Sequence, residues 1–460
     1  MPAIESTRAA TRWTTRIVPV FLTAAVAYAT YVVVARICCE YIYSSFPLHL
    51  SQSHGSRHGS HHGSRRTRAT NPVLLLTVEY LLRSLNENGT ATAILVLYFV
   101  FLLLMIGTYA RTFYNANFNP GVVPLGPRAA YRLRAKAEKQ VRRSYGADDI
   151  EGRAYEAGPD NDPDSPGLES FYSRDAFVCE TDGRPKWCSE CCNWKHDRVH
   201  HSREIGRCVY RMDHYCPWAG GMIGENSFKF FVQFTTYASL FCAVVLGANG
   251  YALRRQAEHG ASPDPFFLAA TVIAAFFGLF AFLMTVTSAR YIHQNMTNVD
   301  ILSFRQKVYQ LAVRVPRGTR SDRFGVVVYP LTKLESGSGG RKGGAKSLKR
   351  NDLPSEEQAD ALPASSRDDL AKRTFAILET GPGENPWDLG PWRNWQSVMG
   401  TNPVDWVLPI RHSPCADHES LETLYGMDRI LDQLRNRYGL PAGPPSDEST
   451  VMEMRNLRSQ

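Results

Sequence analysis

Four apolar runs leave this chain few possible folds: Ile17 to Ala35, Ala91 to Ala110, Phe228 to Leu246 with flanks reaching residue 250, and Phe266 to Ala289. A hydrocarbon core of roughly 30 Å needs about 20 helical residues, which each run supplies. Backbone inside lipid must satisfy its own hydrogen bonds, so helices are the form these runs can take. Ala25-Val26-Ala27 resembles a signal-peptide cleavage site, but the apolar run continues through Val34, beyond a usual signal core, which favours an anchor.

Charge sets the expected orientation. Arg8, Arg12 and Arg16 precede the first run, and a strongly basic segment from Arg128 to Arg143 follows the second. Basic residues stay on the cytosolic side. The expected class is therefore an α-helical multi-pass membrane protein, with 1–16, a linker at 111–185 and a tail at 290–460 in the cytosol. Loops at 36–90 and 251–265 face the lumen or exterior. The first of these carries an Asn88-Gly89-Thr90 glycosylation sequon and a Ser/Gly/His-rich patch from His54 to His62, read as a solvated loop. The net charge of +8 is spread over loops and tails without an aromatic-basic groove. It reads as membrane-surface and topology charge and argues against a nucleic-acid partner.

The stretch 186–231, between the second and third spans, holds most of the chemistry. Six of the ten cysteines fall between Cys179 and Cys216, interleaved with His196, His200, His201 and His214. That clustering fits a reducing compartment and a metal site better than a disulfide scaffold. Cys188-x2-Cys191, followed by His201 and Cys208, completes a Cys3His set of the kind that closes a structural zinc tetrahedron. Cys192 could replace Cys191, and His196 or His200 could replace His201. A small loop poor in aliphatic residues gains much of its folding free energy from such an ion.

The same stretch offers a nucleophile. Cys216 follows His214 by two residues, with Asp213 adjacent. A thiol with a pKa of about 8.5 is mostly protonated at neutral pH and needs a base. His214 can take the proton, and Asp213 can fix its tautomer and stabilise its charged form. By spacing alone Cys216 could also be a further metal ligand.

The tail carries a low-complexity segment, Ser336 to Arg350, inside a stretch 333–375 expected to be disordered. At 385–409 it has four tryptophans among prolines and asparagines, a composition that favours a membrane interface. Leu421 to Leu440 has the apolar spacing of an amphipathic helix.

The Asp213-His214-Tyr215-Cys216 tetrapeptide within its Cys/His frame resembles the DHHC-type protein S-acyltransferases (palmitoyltransferases), most of all the fungal members carrying DHYC. The resemblance covers the four spans and Cys188 to Phe231. Asn119-Pro120-Gly121, Thr297-Asn298-Val299-Asp300 and Asn385 to Gly400 are weaker matches to flanking family motifs. It implies a two-step reaction in which Cys216 takes an acyl group from a long-chain acyl-CoA such as palmitoyl-CoA. The group then passes to a cysteine of a cytosolic or membrane-associated protein.

Departures from the family pattern are informative. In the family the first ligand set recurs fourteen residues later; here those positions are Ser202, Ile205, Tyr215 and Met222. All four ligands of the second set are missing together, so one zinc is expected, with apolar packing by Ile205, Tyr215 and Met222 in place of the other. Tyr215 belongs to the lost site, which leaves Asp213, His214 and Cys216 intact. Two other functions compete: a membrane adaptor that binds proteins through its zinc loop, and a metal transporter. The transporter is disfavoured because the span interiors lack ionisable residues.

Overall fold

The computed structural model describes residues 17–41, 89–126, 128–135, 168–258, 260–303, 308–330 and 372–441. Four long helices form the membrane part: α1 (Ile17–Ile37), α2 (Gly89–Phe118), α3 (Phe228–Glu258) and α4 (Pro265–Gln294). From Tyr31 the first helix widens into a π-helix, Tyr31–Tyr41. At about 1.5 Å per residue the three later helices run roughly 45 Å, longer than the hydrocarbon core, so their ends project past it. The sequon and the His-rich patch lie largely outside the described residues; only Gly89 and Thr90 belong to α2.

Helix α3 is the buried centre and packs against both α2 and α4. Tyr98, Met105, Tyr237, Phe241, Val245 and Phe267 form the interior of the bundle. Leu97, Leu103, Val272, Phe276, Leu279 and Leu283 point outward, as the lipid-facing sides of spans should. At the far end Asp264 caps α4, accepting from Phe266 N at 2.8 Å, and pairs with Arg36 of α1 at 2.5 Å.

Three hairpins, each of two three-residue strands, lie in the segment between α2 and α3: β2 (Lys186–Cys188) with β3 (Asn193–Lys195), β4 (His200–Ser202) with β5 (Arg207–Val209), and β6 (His214–Cys216) with β7 (Gly221–Ile223). Beside them lies an antiparallel sheet that the sequence pattern did not announce. Its order is β1 (Ala176–Cys179), β8 (Gln310–Val315), β10 (Lys372–Glu379), β9 (Gly325–Pro330). Alternation splits each strand between two faces. Leu311, Val313 and Leu378 pack on one face with Ile430, Leu431 and Leu434, and Phe177, Ala312, Phe375 and Ile377 pack on the other with Tyr172 and Tyr329.

Two tail expectations change. The stretch 333–375 lies outside the described residues as far as 371, and its last four residues open strand β10. The helix expected over Leu421 to Leu440 is only α8 (Asp428–Tyr438). Residues 421–424 form an irregular, bent segment whose carbonyls are taken elsewhere: Leu421 O and Glu422 O accept from Asp175 N and Ala176 N, and Leu424 O from Asp417 N. Of the tryptophans expected at an interface, Trp387 is fully buried and Trp392, on α6 (Pro391–Met399), is exposed, while Trp395 and Trp406 are half-buried beside the end of α4.

Candidate active site and metal centre

Cys188 ends β2, Cys191 sits in the turn to β3, and the β4–β5 register sets His201 opposite Cys208. Their ligand atoms all lie within 4.8 Å of one another. His201 Nδ1 is 3.5, 3.3 and 3.9 Å from the sulfurs of Cys188, Cys191 and Cys208. A tetrahedral ion with metal–sulfur bonds of about 2.3 Å and metal–nitrogen bonds of about 2.0 Å sets sulfur and nitrogen about 3.5 Å apart, so the set fits such an ion. A hydrogen bond with Cys208 holds the Cys188 thiol below its ordinary range.

The alternative ligands have other roles. Cys192 turns away in a left-handed conformation (φ 48°), its thiol donating to Ser189 O at 3.3 Å. His196 stacks on Phe171 with centroids 4.3 Å apart, and burial, aided by Arg174, lowers it to about 4. His200 is absent from the cluster. Among the described residues this is the one Cys/His/Asp/Glu group with ligand spacing. At the vacated positions, Tyr215 and Met222 face each other across β6–β7, but the replacement is not wholly apolar: Ser202 Oγ donates to Glu204 at 2.7 Å and accepts from Ile205 N at 3.4 Å.

Strand geometry explains how Asp213, His214 and Cys216 can work together. In an extended strand residues two apart share a face, so His214 and Cys216 project together while Tyr215 points the other way. The substitution at Tyr215 therefore falls on the face opposite the reactive pair. Asp213 Oδ2 accepts from His214 Nδ1 at 2.6 Å. Burial disfavours the charged ring, but hydrogen bonds to Asp213 and Cys216 outweigh it and raise His214 to about 10.

Asp213 is itself held. Asn298 donates to it twice, from its backbone N to Oδ1 and from Nδ2 to Oδ2, both at 2.9 Å. Asn298 opens α5 (Asn298–Ser303), which follows α4 after Asn295 takes a left-handed turn (φ 46°) that asparagine tolerates. That turn is fastened to the Cys/His segment: Asn295 Oδ1 accepts from Arg198 at 2.9 Å and Arg211 at 3.2 Å. Arg198 also pairs with buried Asp300 at 2.9 Å. The motif 297–300 pointed to this region of the sequence, but the roles of Asn298, Arg198 and Asn295 depend on contacts far apart in the chain.

His214, Cys216 and Trp218 line one end of an apolar cavity of about 560 Å³ among the four helices. On α3 its lining runs from Phe231 to Val245, roughly 21 Å of helix axis. Lipid tails of one leaflet span about 15 Å, so the cavity is long enough for a fatty chain.

Fold and site together define a class: a four-span membrane protein with a buried thiol–imidazole–carboxylate group at the mouth of an apolar cavity, beside a Cys3His centre. A DHHC palmitoyltransferase family model matches residues 181–305. Palmitoyltransferase pfa5 of Aspergillus fumigatus is 33% identical over 94% of this chain and 92% of its own length. Palmitoyltransferase pfa5 of Emericella nidulans is 33% identical over 96% and 89%. Palmitoyltransferase PFA5 of Saccharomyces cerevisiae matches 27% of the chain at 34% identity. The chain belongs to the DHHC palmitoyltransferase family.

Proposed function

We propose that this protein S-palmitoyltransferase works in two steps through Cys216. The observation that carries the reading is the placement of Cys216 and His214 at the end of an apolar cavity within the bundle. A long-chain acyl-CoA lays its chain in the cavity, where each buried CH₂ contributes about 0.8 kcal/mol. Its thioester then meets Cys216.

In the first step Cys216 Sγ attacks the thioester carbon and its proton passes to His214. Hydrogen bonds to Asp213 and Cys216, which raise the ring to about 10, stabilise the imidazolium formed once the thiol's proton has moved onto it. The C–S bond to CoA breaks, and the departing thiolate takes the proton from His214. In the second step a substrate cysteine thiol attacks the Cys216 thioester, again through His214, and Cys216 leaves as the restored thiol. Asp213, held by Asn298, keeps Nδ1 engaged so that the other ring nitrogen is available to sulfur.

Cys188, Cys191, His201 and Cys208 hold one zinc ion that braces the hairpins; its four ligand positions are all supplied by protein, so it is structural. The basic flanks of the spans support cytosolic termini and a cytosolic Cys/His segment. The test is incubation of the purified chain with radiolabelled palmitoyl-CoA. Hydroxylamine-sensitive label on wild type and none on Cys216→Ser supports the reading. No label on wild type overturns it, and equal label on both forms reassigns the nucleophile.

A further inference from the structure

On the side of α3 turned away from the cavity, three segments converge: the later part of α2, the first turns of α3, and tail residues 403–412, which include the short helix α7 (Pro403–Val407). Gln233 Nε2 donates to Asp405 O at 3.0 Å and Trp406 O at 3.1 Å, and Tyr237 Oη to Val407 O at 2.6 Å. Arg111 Nη2 donates to Ile410 O at 3.0 Å. Tyr237 lies about 10 Å below Phe230 along the helix, so the tail dips beside the apolar part of α3 and climbs back to its end. On the way it leaves Val404, Val407 and Ile410 half or more exposed.

At the top of this junction sits a knot of cations with too little negative charge. Lys229 is only 1% exposed, and its Nζ has no hydrogen-bond partner. It stands in the first turn of α3, where the helix dipole is also unfavourable to a cation. Arg111 lies over the Phe230 ring at 4.8 Å, with its Nε unpartnered. His412 meets the other edge of Phe230 at 5.4 Å. Asp405 is the one carboxylate among them, and it is engaged by exposed Arg411 at 3.8 Å. A buried ammonium that makes no hydrogen bond and shares its one nearby carboxylate, Asp405, with Arg411 is costly enough that such sites normally hold a further anion.

We propose that Lys229, Arg111, Arg411 and His412 bind the phosphate of an anionic membrane phospholipid. The cations stand at the helix end where headgroups lie, and Val404, Val407 and Ile410 stand below them, where acyl chains lie. Arginine and lysine both suit phosphate oxygens, and the excess of cations over carboxylates selects headgroups lacking a compensating cation. The site is distinct from the cavity, whose α3 lining includes Phe231, Phe234, Thr235 and Ala238 but not Lys229, Phe230 or Gln233. A CoA phosphate and a lipid phosphate share this chemistry, so the test must separate them.

The test is native mass spectrometry of the full-length protein in detergent, titrated with phosphatidylserine, phosphatidylcholine or free CoA. Wild type is expected to retain phosphatidylserine about ten-fold over phosphatidylcholine, in line with loss of a partner from a buried charge contact. Lys229→Met should bring the ratio near one, and Lys229→Arg should restore it. Arg411 is on the surface, so Arg411→Gln will fold even if the Lys229 variants do not, and it should lower the ratio several-fold. Equal retention of the two lipids by wild type, or an unchanged ratio in Arg411→Gln, overturns the proposal. So does displacement of phosphatidylserine by equimolar CoA, which would assign the cluster to the acyl donor.

Discussion

Replacing Asn298 with alanine removes one of the two hydrogen bonds that hold Asp213, the 2.9 Å contact from Nδ2 to Oδ2, and leaves the backbone contact to Oδ1 in place. Oδ2 is also the atom that engages His214 at 2.6 Å. Hydrogen bonds to charged groups contribute about 1.5–3 kcal/mol each, so the carboxylate loses that much restraint. If about half of it reaches the transition state for thiol deprotonation, roughly 0.8–1.5 kcal/mol, loading slows by about four- to twelve-fold. The assay is single-turnover formation of the hydroxylamine-sensitive acyl-enzyme, measured alongside an Asp213→Asn form and the double variant. Because Asn298 acts only through Asp213, its effect should shrink to near unity in the Asp213→Asn background. Full additivity of the two substitutions, or wild-type loading by Asn298→Ala, would refute the reasoning.

Four further outcomes are expected. His214→Ala should slow loading by roughly 10²- to 10⁴-fold, the usual contribution of a general base. Because folding raises the His214 pKa from 6.5 to about 10, its stabilisation is complete below 6.5 and is lost as pH rises through about 10; melting temperatures of wild type and His214→Gln should therefore converge between those limits. Metal analysis should find one zinc per chain in wild type and in Tyr215→His, since Ser202, Ile205 and Met222 still offer no complete second set, and Cys191→Ser should lose the ion and the loop's fold together. Arg198→Met should destabilise by about 3–5 kcal/mol by stranding buried Asp300, and Asp300→Asn in the same chain should recover part of the loss in denaturation experiments.

Local patterns in the sequence were legible and distant pairings were not. The spans stand out because twenty apolar residues in a row have few uses, and the Cys3His set because ligand spacing within hairpins is short-range. The i, i+2 relation of His214 and Cys216 likewise becomes a shared strand face with no help from elsewhere. The sheet escaped notice because Val313 pairs with Ala176 on one side and Ala376 on the other, and no short window of sequence contains that match. Leu424 and Tyr425 mimicked a helical stripe, yet they are buried from an irregular, bent segment whose neighbouring carbonyls serve the edge of β1. The support of Asp213 by Asn298 was hidden for the same reason, since the two residues are separated by both α3 and α4.

The pairing of β1 with β8 also sets a timetable for synthesis. The metal hairpins are made of neighbouring residues and can close as soon as they leave the ribosome. Strand β1 must wait until residue 313 appears, after two further helices have entered the bilayer. At about 5–20 residues per second that interval is roughly 7–27 s, during which an apolar strand edge stands open. At four residues, Ala176–Cys179, β1 is among the shortest strands that can still carry a ladder, which limits what a stray chain could pair with in the meantime. The active-site loop is thus born early, and its permanent alignment with the tail comes only at the end of translation.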